Sequence, residues 1–351
     1  MKAAVLHAQE DLRVEDVPEP TVKPGQVKLR NAYAGICGSD LHAYFDPAGA
    51  GLDLENPHPV TGSRLPQILG HEFSGTVVEV GEGVEDVAVG DRVAVFPLYS
   101  CGTCAACRRG NTNVCRTIGF HGLTSHGGGM AEYTTIAASM VHRLPENVDL
   151  KLAALVEPMA VAWHAVDKTG IAAGQSALIA GAGPIGIGLY FALRARGVDN
   201  IVVSEPSADR RAAIAAVGAT NVVDPVTQDL AAAVAEATGG DGVDVAFDAA
   251  GVGPAVASGL ASLAPGGTVL VVALHERTVE IHPTVHLVMG ETTITGALGY
   301  LPKDYTAVIE AMSQGLYEAS DAWISEATID EVPAVVQDLR AGKRMKVLVR
   351  A

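Results

Sequence analysis

A glycine-rich turn between an apolar run and a helical stretch constrains the fold of this chain more than any other feature. The turn reads Gly181-Ala182-Gly183-Pro184-Ile185-Gly186 and follows the apolar run at residues 177–180. Gly181 permits the tight turn, Gly183 lets the backbone approach a pyrophosphate, and Gly186 lets helix and strand pack closely. The N-terminus of the following helix attracts an anion. Placed between a strand and a helix, the motif predicts a dinucleotide site rather than a plain turn.

A regular alternation of strands and helices surrounds this turn from about residue 176 to residue 274. The strand-like runs are at 177–179, 201–203, 221–223, 243–247 and 268–272, and alanine-rich stretches such as 185–196 and 208–217 lie between them. Apolar strands joined by helices predict a parallel, doubly wound sheet.

Two charged residues follow the second of these runs. The Glu205 carboxylate would accept hydrogen bonds from ribose hydroxyls and repel a 2′-phosphate, which favours NAD over NADP. Arg210 is a candidate adenine contact, with a solvated surface charge as the alternative. The first 150 residues differ from this region, because their short Val-, Thr- and Gly-rich segments, such as 77–83 and 89–95, are typical of a β-rich, barrel-like unit.

Four of the five cysteines are clustered, at Cys101, Cys104, Cys107 and Cys115. Four thiolates at these spacings can complete a tetrahedron around zinc and leave no open position, so they predict a structural site. An iron–sulfur cluster and free thiols are the alternatives. Because no signal peptide is visible, the cluster is interpreted as metal ligands in a reducing cytoplasm rather than as disulfides.

A second set of candidate ligands consists of Cys37, His71, Glu72 and Glu157. One thiolate, one imidazole and one carboxylate would leave a fourth position on zinc open for water or an alcohol. Each residue alone has a structural alternative: a small buried thiol, a core histidine or a helix cap.

In chain order, these motifs resemble the zinc-dependent medium-chain alcohol dehydrogenases over essentially the whole length. The matching pieces are residues 35–42, Gly70-His71-Glu72, the four-cysteine segment, Glu157-Pro158 and the glycine turn. The resemblance implies an α/β protein in which a Rossmann domain is inserted in a β-rich, GroES-like catalytic domain. We expect the catalytic domain at residues 1–155 and 291–351 and the NAD-binding domain at 156–290.

The resemblance also implies roles for individual residues. Cys37, His71 and Glu157 are expected to bind a catalytic zinc, with Glu72 behind them or exchanging with one of them. Ser39 and His42 are expected to relay the proton released from the alcohol. Further cofactor contacts are expected at Val272, Leu274, Leu298 and Tyr300.

Two positions separate the members of one branch of the family, the sorbitol and (R,R)-2,3-butanediol dehydrogenases. Sorbitol dehydrogenases have a tyrosine and an arginine where this chain has Ala43 and Gly299. Without these polar anchors, a short diol fits better, so the expected pair is (R,R)-2,3-butanediol and acetoin. A sorbitol- or L-threonine-type dehydrogenase is the alternative. A non-catalytic protein of this fold and a zinc-free quinone reductase are disfavoured by the presence of Cys37, His71 and the cysteine cluster.

The charge of the chain limits its partners. Lys and Arg number 24 against 40 for Asp and Glu, giving a net charge of −16. This balance disfavours nucleic acid and anionic membranes as partners, whereas a small neutral alcohol is little affected. The resemblance implies a homodimer or homotetramer, joined through an edge strand such as residues 292–297.

Overall fold

The chain forms two compact units in the computed structural model, which describes residues 1–49 and 52–351. The first unit comprises Met1–Glu157, Leu301–Gln314 and Ile324–Ala351, and the second comprises Pro158–Tyr300 and Gly315–Trp323. The strands are β1 (Lys2–Ala8), β2 (Asp11–Asp16), β3 (Gln26–Gly35), β4 (Gln67–Ile68), β5 (Glu72–Val80), β6 (Arg92–Val95), β7 (Leu98–Tyr99), β8 (Gly119–Phe120), β9 (Tyr133–Ala137), β10 (Val141–Arg143), β11 (Ser176–Ala180), β12 (Asn200–Ser204), β13 (Asn221–Val223), β14 (Val243–Asp248), β15 (Leu263–Val271), β16 (Thr293–Gly296), β17 (Ile324–Thr328) and β18 (Lys346–Arg350).

The helices lie between these strands and include several short ones. They are α1 (Gly38–Phe45), α2 (Ala105–Arg108), α3 (Leu150–Ala153), α4 (Val156–Thr169), α5 (Pro184–Ala195), α6 (Ala208–Ala216), α7 (Leu230–Thr238), α8 (Gly253–Ala261), α9 (Pro302–Ser313) and α10 (Val332–Arg340). Among the described residues, no helix is both long and apolar enough to cross a bilayer.

The first unit is built on mainly antiparallel sheets that use both ends of the chain. Its largest sheet has the order β10-β6-β5-β3-β18-β17, and β9 also pairs with β3. Strand β18 runs antiparallel to β3 and parallel to β17, with Leu348 opposite Gly35. Leu29, Phe73 and Val347 are fully or almost fully buried in the core that this sheet covers. The expectation of a β-rich unit assembled from both chain ends is therefore confirmed.

The second unit contains the doubly wound sheet. Its six strands are parallel and follow the order β13-β12-β11-β14-β15-β16. The chain moves outward from β11 in one direction and from β14 in the other, so the switch point where ligands bind in such sheets lies between them. Leu178, Val202 and Val269 are buried on these strands, as the unbroken apolar runs predict for parallel strands covered on both faces.

The unit boundaries differ from the expected ones at 155/156 and 290/291. Strand β16 pairs in parallel with β15 and so belongs to the second unit. A short return segment, Gly315–Trp323, also belongs there, and its buried Tyr317 lies 5.1 Å from the Phe191 ring of α5, centroid to centroid. The first boundary falls within α4, after Glu157.

Candidate metal centre and dinucleotide site

Three of the candidate ligands converge in the first unit. Cys37 immediately precedes α1, His71 immediately precedes β5, and Glu72 is the first residue of β5. Ligand atoms of all three lie within 4.8 Å of one another. His71 and Glu72 are buried, and Cys37 is half-buried. A thiolate, an imidazole and a carboxylate grouped in this way form a donor set suited to zinc.

Asp40 contacts two of these candidate ligands, and the sequence analysis did not assign it a role. Its carboxylate is fully buried. One oxygen accepts a hydrogen bond from the Cys37 backbone N–H at 2.9 Å, and the other lies 3.5 Å from His71 Nδ1. Carboxylates that orient the ligating imidazole in this way are typical of zinc sites. The signal was present, because Asp40 lies in the same short motif as Cys37 and Ser39.

Lys346 is the other functional residue that the sequence analysis missed. It is 2% exposed, and its ammonium pairs with Glu72 Oε2 and donates to the Ile36 carbonyl at 3.1 Å. Burial alone would lower the pKa of Lys346, but the charge of Glu72 raises it, so the ammonium stays protonated. Glu72 Oε1 is buried with no hydrogen-bond partner among the described residues. One oxygen of Glu72 is thus held by Lys346, and the other remains available to bind a metal ion.

Glu157 is not part of this group of three among the described residues. It lies in the first turn of α4 and is 6% exposed. It belongs to the same electrostatic environment, since its charge contributes to raising the pKa of Lys346. A direct bond from Glu157 to zinc stays a prediction.

The expected relay residues lie on α1. Ser39 Oγ is 3.1 Å from His71 Nε2, which places its hydroxyl at the ligand cluster. His42 is half-buried on the same helix. Residues three positions apart on a helix share a face, so Ser39 and His42 are neighbours along α1.

The four clustered cysteines form a separate group, as expected. All four sulfurs lie within 4.8 Å of one another, and all five cysteines of the chain are free thiols. The Cys104–Cys107 and Cys101–Cys115 sulfur pairs are 3.5 Å apart, and the Cys101–Cys107 pair is 4.0 Å apart. A tetrahedron with Zn–S bonds of about 2.3 Å has S···S edges of roughly 3.8 Å, so the four sulfurs fit zinc.

The glycine turn joins β11 to α5 in the second unit, as its sequence predicts. Gly181 has a φ of +104°, and a side chain at Gly186 would collide with the Gly181 carbonyl. Pro184 is the first residue of α5, where its missing N–H costs nothing. Ile185 follows it in the first turn.

A cavity of about 660 Å³ lies beside this turn. Its lining includes four of the predicted cofactor residues: Gly181, Gly183, Glu205 and Arg210. Glu205 is 3% exposed, and its two oxygens accept from the backbone N–H groups of Ala182 and Ser207, each at 2.8 Å. The carboxylate is therefore fixed against the glycine turn, and each oxygen keeps a lone pair for a further donor.

The remaining predicted cofactor residues do not line this cavity. Val272 directly follows β15. Leu274 and Leu298 are exposed, whereas Tyr300 is fully buried. Their contacts with a cofactor stay predictions.

The chain is similar to known proteins over most of its length. The chain matches the family models described as "Alcohol dehydrogenase GroES-like domain" over residues 23–146 and "Zinc-binding dehydrogenase" over residues 184–314. It is 40% identical to the (R,R)-butanediol dehydrogenase of Bacillus subtilis (strain 168) over 334 residues, covering 95% of this chain and 94% of that protein. It is 32% identical to the sorbitol dehydrogenase of the same organism over 342 residues, covering 96% and 94% of the two chains.

The fold is also similar to a solved structure. The crystal structure of 2R,3R-butanediol dehydrogenase from Bacillus subtilis aligns with a TM-score of 0.91 and 38% identity, covering 100% of this chain and 99% of that one.

Proposed function

Since the chain belongs to the zinc-dependent medium-chain alcohol dehydrogenase family, we propose that it is an NAD-dependent oxidoreductase that interconverts a secondary alcohol or vicinal diol and its ketone. The proposed pair is (R,R)-2,3-butanediol and acetoin. The observation that carries this proposal is the group of half-buried Cys37 with buried His71 and Glu72, which Ser39 adjoins.

The donor set fits zinc by its chemistry, because a thiolate, an imidazole and an unpartnered buried carboxylate oxygen point to a cation. When bound, zinc supplies a Lewis acid that favours loss of the alcohol proton. We propose Cys37, His71 and Glu157 as its ligands, with Glu72, whose Oε1 is the unpartnered oxygen, behind them or exchanging with one of them. Glu72 pairs with Lys346. The lysine neutralises the Glu72 carboxylate, so this second negative charge is not added to the metal.

The residues of α1 handle the proton. Ser39 accepts it and passes it towards His42 and water; the 3.1 Å distance from Ser39 Oγ to His71 Nε2 supports this role. An imidazole suits this step because its charge changes near neutral pH. Asp40 keeps the His71 ring and the Cys37 backbone in position during turnover.

Glu205 supports NAD as the cofactor. Its carboxylate is fixed at the edge of the cavity beside the glycine turn, where it would repel a 2′-phosphate. NAD supplies the hydride acceptor, while the chain sets its orientation. The cysteine group is proposed to hold a second, structural zinc, giving one catalytic and one structural ion per chain.

The substrate proposal rests on the relatives and on two positions. Butanediol dehydrogenase is 40% identical to this chain, whereas sorbitol dehydrogenase is 32% identical. Ala43 is fully buried, and neither Ala43 nor Gly299 offers a side-chain hydrogen bond to a polyol. A sorbitol- or L-threonine-type activity is the alternative.

The test is the absorbance of reduced nicotinamide formed from NAD with (R,R)-, (S,S)- and meso-2,3-butanediol, sorbitol and L-threonine. We expect the (R,R) isomer to react fastest. The Cys37→Ser variant, which lacks one zinc donor, is the matched control and should be inactive. Faster oxidation of sorbitol or threonine would contradict the diol assignment, and equal activity of the control would contradict the zinc site.

We also propose that the protein acts in the cytoplasm as a homodimer or homotetramer. Five free thiols, four of them grouped for metal, suit a reducing compartment. Strand β16 forms one edge of the six-stranded sheet, and Val285, Val288 and Met289 are exposed just before it. Exposed apolar side chains next to a sheet edge are typical of a surface that a second subunit covers.

A further inference from the structure

A histidine–carboxylate contact lies at the carboxyl edge of the six-stranded sheet. His275 Nε2 is 2.6 Å from Asp248 Oδ2. The Asp248 side chain is 1% exposed and the His275 side chain is 16% exposed. Asp248 ends β14, and His275 lies in the segment after β15. The sequence analysis gave His275 no role.

Asp248 binds the segments that follow two neighbouring strands. Its Oδ1 accepts hydrogen bonds from the backbone N–H groups of Ala250 and Gly251, both at 3.0 Å. Its backbone carbonyl accepts from the N–H groups of Val272 and Ala273, at 3.1 and 3.2 Å. With His275 on the remaining oxygen, one buried residue ties residues 249–251 to residues 272–275.

Residues 249–251 also contact the glycine turn. The Ala249 N–H donates to the Ala180 carbonyl at 2.9 Å, and a Cβ added at Gly181 would lie only 3.0 Å from the Ala250 nitrogen. On the other side, a Cβ at Gly251 would lie 2.5 Å from the Leu274 carbonyl oxygen. Residues 249–251 therefore pack between the glycine turn and residues 272–275, without room for a larger side chain at either glycine.

The sheet order assigns these segments to different halves of a dinucleotide. In a doubly wound sheet, one mononucleotide half lies on each side of the switch point. Glu205, at the end of β12, lies on the ribose-reading adenosine side. The segment after β15 lies on the opposite side, where the nicotinamide half belongs.

We propose that His275 is a positioning residue for the nicotinamide half of the cofactor. Its hydrogen bond to Asp248 holds residues 272–275 at a fixed distance from the pyrophosphate-binding turn, so that this segment is already ordered when the dinucleotide binds. Pre-ordering a binding segment raises affinity because less conformational freedom is lost on binding. A hydrogen bond to a buried carboxylate is strong enough to hold it. This inference rests on the proposed function as an NAD-dependent enzyme.

The test compares His275→Gln with His275→Asn in the full-length, zinc-containing protein. Gln carries an amide N–H at about the reach of His Nε2, whereas the Asn side chain is one bond shorter. Calorimetric titrations measure the Kd for NADH and for ADP-ribose, which lacks the nicotinamide. We expect His275→Asn to raise the Kd for NADH about tenfold, which corresponds to about 1.4 kcal/mol. Its Kd for ADP-ribose should stay within about twofold of the parent value, and His275→Gln should restore most of the NADH affinity.

Two results would overturn the proposal. If the Kd values for NADH and ADP-ribose rise equally, His275 supports the second unit as a whole. If neither Kd changes, the contact with Asp248 has no role in binding. Both differ from failure of the proposed function, in which the unaltered protein itself would bind neither ligand. The midpoint of thermal unfolding of each variant separates a loss of folding from a loss of affinity.

Discussion

At the residue scale, the two candidate carboxylate ligands, Glu72 and Glu157, have different surroundings. Glu72 pairs with the buried ammonium of Lys346, whereas Glu157 lies in the first turn of α4, where the N-terminal end of the helix favours negative charge. A carboxylate whose charge is neutralised by a buried lysine is a weakened metal donor. The pairing of Glu72 with Lys346, together with the place of Glu157 before Pro158 in the family motif, is the reason for proposing the zinc bond at Glu157.

Removing each carboxylate in turn tests the assignment. We expect Glu157→Gln to lose the catalytic zinc and to retain about one zinc per chain, since a structural site remains. Glu72→Gln should keep both ions. Metal content after dialysis against a chelator is the measurement. The opposite pattern, one zinc in Glu72→Gln and two in Glu157→Gln, would make Glu72 the ligand.

The proposed relay makes a prediction about His42. We expect His42→Ala to slow alcohol oxidation by up to about 100-fold, with the largest loss at low pH, where proton release is hardest. Zinc content should not change, because His42 is outside the ligand group. The measurement is the pH profile of kcat. A profile parallel to that of the parent protein would remove His42 from the relay.

The buried side chain of His121 is expected to make the stability of the protein depend on pH. It is 3% exposed, and burial lowers its pKa to about 4. Its ring lies 3.0 Å from the Tyr99 hydroxyl and 3.0 Å from the Thr134 hydroxyl. The native state therefore holds the ring neutral at a pH where an unfolded histidine, with a pKa of about 6.5, would already be charged.

The sign of the resulting pH dependence follows from proton binding. Between about pH 6.5 and 4 the unfolded state binds the extra proton, so stability falls as the pH falls through this window. The loss in the free energy of unfolding amounts to about 3 kcal/mol at most. We expect His121→Gln to be less stable at pH 7, yet to lose less between pH 7 and pH 4. Denaturant unfolding at both pH values checks this, and equal losses in the two proteins would show that another group is responsible.

At the scale of elements, the segment that carries the four cysteines has little core of its own. It contains only the four-residue helix α2 and a single 3-10 turn, and Asn113 and Cys115 are its buried residues from position 101 to 115. Without apolar side chains to bury, such a segment needs a metal to hold its shape.

Cys104→Ser should therefore remove the structural zinc and expose the segment to cleavage. Arg108 and Arg109 are exposed, so trypsin should cut this variant there at least about tenfold faster than the parent, in keeping with local unfolding of the segment. The catalytic zinc should remain. Cys37→Ser is the matched control, because it should lose the other zinc without faster cleavage at this site. Equal cleavage rates in Cys104→Ser and the parent would contradict a structural metal.

Helix and strand positions in the second unit followed closely from the sequence. Strand β12 (Asn200–Ser204) includes the predicted run at 201–203, and α6 (Ala208–Ala216) matches the predicted 208–217. These elements were predictable because a strand buried on both faces is apolar along its whole length. Residues 292–297 were expected to form an edge strand, but the expected boundary at 290/291 left β16 outside the second unit, since Thr293–Gly296 is short, has half-exposed and exposed residues and contains no such run.

At the scale of the whole molecule, pairings between distant parts of the chain were the hardest to predict. Cys37, His71 and Glu72 were predicted from their motifs to act together, and they form one cluster in the structure. Lys346 lies 274 positions from Glu72, and nothing in its local sequence distinguishes it from the exposed Lys343. Only the place of β18 beside β3 brings it to Glu72.

Assembly can be tested at the edge of the six-stranded sheet. We expect the double variant Val288→Glu/Met289→Glu, which places charges at two exposed apolar positions, to prevent association. A second subunit would bury these unpaired carboxylates, and each costs several kcal/mol when buried. Light scattering after size-exclusion chromatography measures the mass. Val89→Glu adds a charge at another exposed valine and should leave the assembly intact. A parent protein of 36.1 kDa in solution would contradict the proposed oligomer.

The place of β18 also sets an order of events during synthesis. All of the second unit, residues 158–300 and 315–323, precedes β17 and β18 in the chain. The six-stranded sheet can therefore form while the chain is still leaving the ribosome. The sheet that contains Glu72 cannot be completed until residues 346–350 have emerged, and until then Glu72 lacks the Lys346 ammonium. During translation, we therefore expect the dinucleotide site to be competent before the metal site.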